Sequence, residues 1–213
     1  MAGTLLYPFD LAAEVLHFYR DFSATAPDAL GTMTFLRHAP PAPYIPKEMH
    51  GQLVIAIVVC YAGSVAEGEA VVRPLKAFAP HGRSVLVDTI SPKPYAVHQA
   101  FLDAAVPQGN QYYWKSEYLS GIEDQAIETI LAHVEQLASP HTNVILFQLG
   151  GAIARAAAEE TAAANRAAAY VLNIASAWTD PHEAEQHIAD AHLLVGNASF
   201  CQRRRLCQLS QRR

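Results

Sequence analysis

Charge is scarce in this sequence: 16% of its 213 residues are Asp, Glu, Lys or Arg, and the formal net charge is only −5. A mildly acidic chain lacks the basic footprint of a nucleic-acid protein, so no nucleic acid is expected as a partner. The one exception is a late cluster, Arg203, Arg204, Arg205, Arg212 and Arg213. Long hydrophobic runs are missing too. The longest, Leu53 to Ala62, falls short of the ~20 residues a bilayer-crossing helix needs, and no charged-then-apolar leader opens the chain, so no membrane partner is expected. Cys60, Cys201 and Cys207 are an odd set without CxxC spacing. They indicate neither a disulfide framework nor a zinc site, and they suggest a reducing, cytoplasmic setting.

The familiar catalytic signatures are also absent. There is no GxSxG elbow and no GxGxxG after a strand, and Gly63 to Gly68 lacks the Lys and Ser or Thr of a phosphate loop. His182, Glu183 and His187 resemble a zinc-protease helix only superficially. A five-residue step turns about 140° around a helix of ~3.6 residues per turn, so the histidines do not share a face and no metal is expected. His133, His141 and His192 have no partners in sequence and read as solvated or locally satisfied. Cys60, inside an apolar run, reads as a small buried hydrophobe.

What is present is an alternation of strands and helices. Thr4 to Phe9 reads as a strand, after which Asp10 caps a helix with Leu11, Val15, Phe18 and Phe22 on one stripe. Thr32 to Arg37 looks extended, and Pro40 to Pro46 must be loop. Leu53 to Tyr61, rich in Val and Ile, has the composition of a central strand buried on both faces. Ser64 and Glu67 form a capping-box pattern for a helix to Ala79, and Arg83 to Ile90 returns as a strand. Pro94 to Ala105 is helical, Gln111 to Leu119 alternates, and Glu123 to Leu137 is an amphipathic helix. Val144 to Leu149 and Tyr170 to Trp178 are strands, Ala152 to Ala169 is ambiguous between helix and loop, and Asp180 and Pro181 open a last helix to about Leu194. The pattern predicts one α+β domain, a largely antiparallel sheet with helices covering one face.

Two segments carry candidate chemistry. In YWKSEYL, Tyr113 to Leu119, strand alternation puts Lys115 and Glu117 on one face and Trp114, Ser116 and Tyr118 on the other. The charged face is either a solvated cross-strand patch or the lining of a ligand site. Asn173, a lone amide in the apolar Tyr170 to Trp178, needs hydrogen-bond partners, from the core or from a ligand.

The order of these segments resembles the substrate-domain half of berberine-bridge-enzyme-like flavoprotein oxidases, in the vanillyl-alcohol-oxidase and p-cresol-methylhydroxylase superfamily. The resemblance runs through LLYPFDLAAEVLHFYRDFSATAPDAL (Leu5 to Leu30), YWKSEYL, ILFQLGGAIAR (Ile145 to Arg155), YVLNIASAWTDP (Tyr170 to Pro181) and HIADAHLL (His187 to Leu194). It implies a domain that closes over a flavin ring and lines the substrate pocket, while a separate N-terminal domain, absent from this chain, holds most of the FAD. It also implies that Asn173 lies where relatives place a polar pocket residue, and that Arg166 matches the Arg of a HisArg pair, with Asn165 replacing the His. Gln148 stands at a position often occupied by Pro. Asn173 and Arg166, with Lys115 and Glu117, are the four substrate-pocket candidates.

The tail departs from the resemblance. Val195 to Arg213 reads VGNASFCQRRRLCQLSQRR. Back-translated with permitted codons and read one nucleotide later, it can yield WEMQAFANGGVYVNFLSD, a segment like the one the family carries after HLL. A frameshift at or near Val195 is therefore expected, giving residues 1–194 as substrate-domain-like and 195–213 as an out-of-frame tail. The resemblance implies a parent enzyme that oxidises a small-molecule alcohol, amine or related C–H centre by hydride transfer to FAD. The alternatives are a stand-alone non-catalytic α+β ligand-binding module, able to dimerise or aggregate through an exposed sheet surface, or a non-functional gene fragment.

Overall fold

The computed structural model describes residues 1–157, 159–163 and 165–210, with the backbone alone described at 104, 105 and 198–210. Two compact units divide the chain at Asn110. Both are antiparallel β-structure with helices laid on one face. The first holds strands β1 (Ala2–Pro8), β2 (Leu30–His38), β3 (Leu53–Tyr61) and β4 (Val87–Asp88), with helices α1 (Ala12–Ser23), α2 (Val65–Ala77) and α3 (Tyr95–Gln99). The second holds β5 (Gln111–Leu119), α4 (Asp124–Val134), β6 (Asn143–Gln148), α5 (Gly151–Arg155), β7 (Tyr170–Trp178) and α6 (Ala184–Ser210).

In the first unit the strand order is β4-β1-β3-β2. β3 is apolar on both faces because both are covered: Val54 to Val59 are all buried. Its Ile57 lies between Leu5 of β1 and Thr34 of β2. α1 lays Val15, Leu16 and Tyr19 on this sheet, and the Tyr19 hydroxyl meets the Thr32 hydroxyl at 3.1 Å, so a polar contact fixes an otherwise apolar interface. Phe18 is only half-buried, stacked on Phe78 with ring centroids 3.9 Å apart.

Two local expectations need correcting here. Asp10 does not cap α1, because a 3-10 turn over Phe9–Leu11 carries the helix start on to Ala12. The Asp10 carboxylate instead meets the Arg83 guanidinium at 2.5 Å. The stretch Arg83 to Ile90 forms only the short β4, because a 3-10 turn at Pro80–Gly82 with left-handed His81 feeds it in late. Beyond β4 the chain holds β1 by the Ala2–Ser91 bridge. Gly3 allows that approach, since a Cβ there would lie 2.5 Å from the Thr89 carbonyl oxygen. The Ser64 cap forms as expected, its hydroxyl accepting from the Glu67 N–H at 3.3 Å.

His98 of α3 is buried and stacks on Phe101 at 5.1 Å. Burial, then the charges of Lys93 and the N-terminus, hold its pKa below the ordinary 6.5, and burial and Arg37 do the same to His38. Because the folded state disfavours the protonated ring, their contribution is complete above 6.5 and is lost as pH falls from there toward the folded values. Thermal melts are expected to shift down between pH 7.5 and pH 5, and His98→Phe is expected to shrink that shift. An unchanged slope in the variant would remove His98 from the account.

In the second unit the order is β6-β7-β5. α4 buries Ile127, Ile130 and Val134, and α6 buries Ala191 and Leu194. Both helices lie over the sheet face that carries Ile174. Asp180 accepts from the His182 N–H at 2.9 Å and caps a 3-10 turn over Pro181–Glu183, which leads into α6 at Ala184. It runs on to Ser210 rather than ending near Leu194, and no proline interrupts that stretch. Among the described residues of the ambiguous stretch 152–169, helix is confined to α5, Gly151–Arg155, and the others are loop or turn up to β7. Arg212 and Arg213 lie outside the described residues, as do the side chains of Cys201, Arg203, Arg204, Arg205 and Cys207.

Candidate functional site

Directly opposed residues of antiparallel strands share a sheet face. The β5–β7 and β6–β7 registers therefore sort every side chain of this sheet. One face carries Tyr113, Lys115 and Glu117 with Leu172, Ile174, Val144 and Leu146. This is the helix-covered face, as the Tyr113 hydroxyl shows by meeting His192 Nε2 of α6 at 2.8 Å. The opposite face carries Tyr112, Trp114, Ser116 and Tyr118, then Val171, Asn173, Ala175 and Ala177, then Asn143, Ile145 and Phe147. Its β5 aromatics stand in solvent, with Trp114 56% and Tyr118 47% exposed, whereas Phe147 of β6 is half-buried.

Asn173 sits at the middle of this open face, between Ser116 on one side and Ile145 on the other. Its Oδ1 is enclosed and accepts no hydrogen bond among the described residues. Asn143, beside Ala175 on the same face, has the same property: its Nδ2 donates to the His141 carbonyl at 3.0 Å, but its Oδ1 is enclosed without a donor. A buried acceptor left unmatched costs about 1–3 kcal/mol, and only a side-chain rotation that brings either oxygen to the surface would let it accept from a bound donor. Ala175 and Ala177 of β7 and Ile145 of β6 are buried on this face, so its exposed surface is the row of side chains on β5.

The four pocket candidates do not converge. Asn173 lies on the open face, whereas Lys115 and Glu117 lie on the helix-covered one. Arg166 ties down the loop before β7, donating to the Ala163 and Ile153 carbonyls at 3.1 Å each and to the Thr161 hydroxyl. Strand alternation in YWKSEYL is as expected. What sequence alone did not supply is the direction of the helices, and so that Trp114 and Tyr118 stand exposed while Lys115 and Glu117 are half-buried.

Arg37 was also missed. In the first unit it stands opposite Val54, on the face away from the Thr32 contact with α1. Its Nε donates to the His38 carbonyl at 3.0 Å, no carboxylate among the described residues pairs with it, and burial pulls its pKa down. A cation closing an apolar strand was the available signal.

The helix-covered side of the second unit holds a cavity of about 80 Å³ lined by His133, Ser176, His187 and Asp190, among others. That is well below the ~300–1,000 Å³ of small-molecule sites. His187 is buried against Trp178, ring centroids 5.0 Å apart, and faces Glu183 at 3.6 Å. No group of three or more His, Cys, Asp or Glu among the described residues could hold a metal ion, and no helix among them is long and apolar enough to cross a membrane.

No family model matches the chain, and neither does any curated protein sequence. Solved structures do match it. The fold is that of berberine-bridge-enzyme-like FAD-linked oxidases, over a part of their length that agrees with a substrate domain. 6-Hydroxy-D-nicotine oxidase from Arthrobacter nicotinovorans is similar over 94% of this chain and 42% of its own, with a TM-score of 0.71 and 16% identity. The pregilvocarcin complex of GilR, an oxidoreductase for the terminal step of gilvocarcin biosynthesis, is similar over 90% of this chain and 40% of its own, with a TM-score of 0.68 and 16% identity. BBE-like #28 from Arabidopsis thaliana covers 91% of this chain with 41% of its own, at a TM-score of 0.65 and 14% identity. The chain thus spans about two fifths of the length of the structures it matches.

Proposed function

We propose that this chain is the substrate-domain part of an FAD-dependent oxidoreductase whose complete form oxidises a small-molecule alcohol, amine or related C–H centre. The observation that carries the proposal is the open face of β6-β7-β5, where the unmatched Asn173 amide oxygen lies among exposed aromatic rings. FAD, when bound, supplies the hydride acceptor. This chain's own residues bind and orient: Trp114, Tyr118 and Phe147 offer ring surface, and Asn173 fixes a donor-bearing substrate by one hydrogen bond. Cysteine usage supports a reducing, cytoplasmic location. 6-Hydroxy-D-nicotine and pregilvocarcin, named for two of the similar structures, are the first substrates to try.

The nucleotide sequence around the gene is the decisive test. A flavin-domain reading frame before Met1, with family coding resumed in the shifted frame after about Val195, supports the oxidase. Isolated coding, with saturable binding of another ligand and no flavin uptake, supports the non-catalytic module instead.

We also propose that residues from about Val195 are read out of frame. The abrupt change to VGNASFCQRRRLCQLSQRR supports this. A tail never selected to pack has little stability to give, so deleting residues 198–213 is expected to move Tm by no more than ~2 °C. A larger fall by calorimetry would show that the tail packs and would count against the shift.

A further inference from the structure

The outer edge of β5 carries a backbone pattern that lies outside the ladder with β7. Its hydrogen-bonding phase follows from the second unit itself. The Leu149 N–H donates to the Ala169 carbonyl at 2.7 Å. Continued along the β6–β7 register, this turns the odd-numbered peptide groups of β7 toward β6 and the even-numbered ones toward β5. Since Leu119 pairs with Tyr170, the odd-numbered groups of β5 bond β7, and those of Trp114, Ser116 and Tyr118 turn outward. β5 ends the strand order, so nothing in the sheet lies beyond them. The Tyr118 N–H agrees: it donates to the Glu117 carboxylate of its own strand at 3.2 Å.

An outward-turned edge is a template for another strand, and this one is complementary to its own reversal. Around Ser116 the side chains run Trp, Lys, Ser, Glu, Tyr. We propose that a second copy of this chain pairs with β5 antiparallel about a twofold axis at Ser116. Lys115 then lies opposite the partner's Glu117, and Glu117 opposite the partner's Lys115. On the open face, Trp114 lies opposite the partner's Tyr118. The outward N–H and C=O groups of each such pair bond each other, the Tyr118 N–H exchanging its own Glu117 for the carbonyl of the partner's Trp114.

The register is singled out by charge. Slipping the axis to Lys115 or to Glu117 keeps each sheet face on its own side but sets lysine against lysine or glutamate against glutamate. Like charges directly opposite destabilise a strand pair, while the opposite-charge and aromatic pairs of the Ser116 register stabilise it. The pairing extends the sheet of the second unit through the twofold and requires no flavin, so it stands apart from the proposed activity.

Sedimentation velocity of the full chain over a concentration series tests this. The wild type is expected to dimerise. Lys115→Glu or Glu117→Lys alone creates two like-charged pairs across the axis and is expected to weaken the dimer on the order of tenfold. The double reversal restores opposite charges and is expected to restore dimerisation, which separates lost pairing from misfolding because it contains both substitutions. Ser116→Cys is expected to form a covalent dimer on mild oxidation, in excess of any formed by the wild type, since directly paired Cα atoms lie ~5.5 Å apart. Gln111→Cys, out of register, is expected not to. A monomeric wild type, a dimer indifferent to the single reversals, a double reversal that stays monomeric, or no excess cross-linking at residue 116 would each overturn the proposal.

Discussion

Ile57→Ala is expected to destabilise the protein by roughly 3 kcal/mol or more and to lower its melting temperature by ~6–12 °C. Ile57 is fully buried, at the centre of a strand covered on both faces, with Leu5 and Thr34 as its direct neighbours on either side. Removing three carbons there loses their transfer free energy and leaves a cavity that neighbouring strands cannot close without giving up ladder bonds. Val65→Ala is the control, because Val65 is exposed in the first turn of α2. It is expected to change stability by no more than ~0.5 kcal/mol. Denaturant titration of both variants measures the contrast. Similar small losses for the two would mean that β3 is not the axis of the first unit.

That contrast was legible in the sequence, because the physics involved is local. A run of Val and Ile bounded by turn residues can only be a strand covered on both faces, and Ser64 with Glu67 specifies a helix start within one turn. Asp10 misled because a 3-10 turn and an α-helix begin with similar residues, and here the turn over Phe9–Leu11, with Leu11 buried, precedes the helix. The candidate site was legible in part. Alternation in YWKSEYL put Trp114 and Lys115 on opposite faces, but which face the helices take depends on α4 and α6, elements more distant in sequence. Charge drew attention to Lys115 and Glu117, although charged side chains at a sheet edge readily extend to solvent with their stems packed. Arg166 has the donors of an anion-binding group, yet its partners are the Ala163 and Ile153 carbonyls and the Thr161 hydroxyl. Asn173 stood out in the sequence as an amide in an apolar strand, and its Oδ1 is enclosed without a donor among the described residues.

Asn173→Leu should therefore separate stability from function. Leucine has nearly the shape of asparagine and no acceptor to leave unmatched. The Asn173 Oδ1 is enclosed without a donor, so its removal is expected to raise stability by about 1–2 kcal/mol, against the usual sense of a core substitution. In the proposed complete oxidase the same change would remove the hydrogen bond proposed to orient substrate, and kcat/KM is expected to fall about 10²-fold. Asn173→Asp is the informative companion. A carboxylate keeps the acceptor but gives up the donor and adds a charge in a largely apolar strand, so it is expected to lower stability while retaining more activity than leucine. Chemical denaturation of this chain reads the first half, and steady-state kinetics of the flavin-loaded parent the second. A destabilised leucine variant would mean that the amide is matched within the fold. A leucine variant of unchanged kcat/KM would mean that substrate does not use this face.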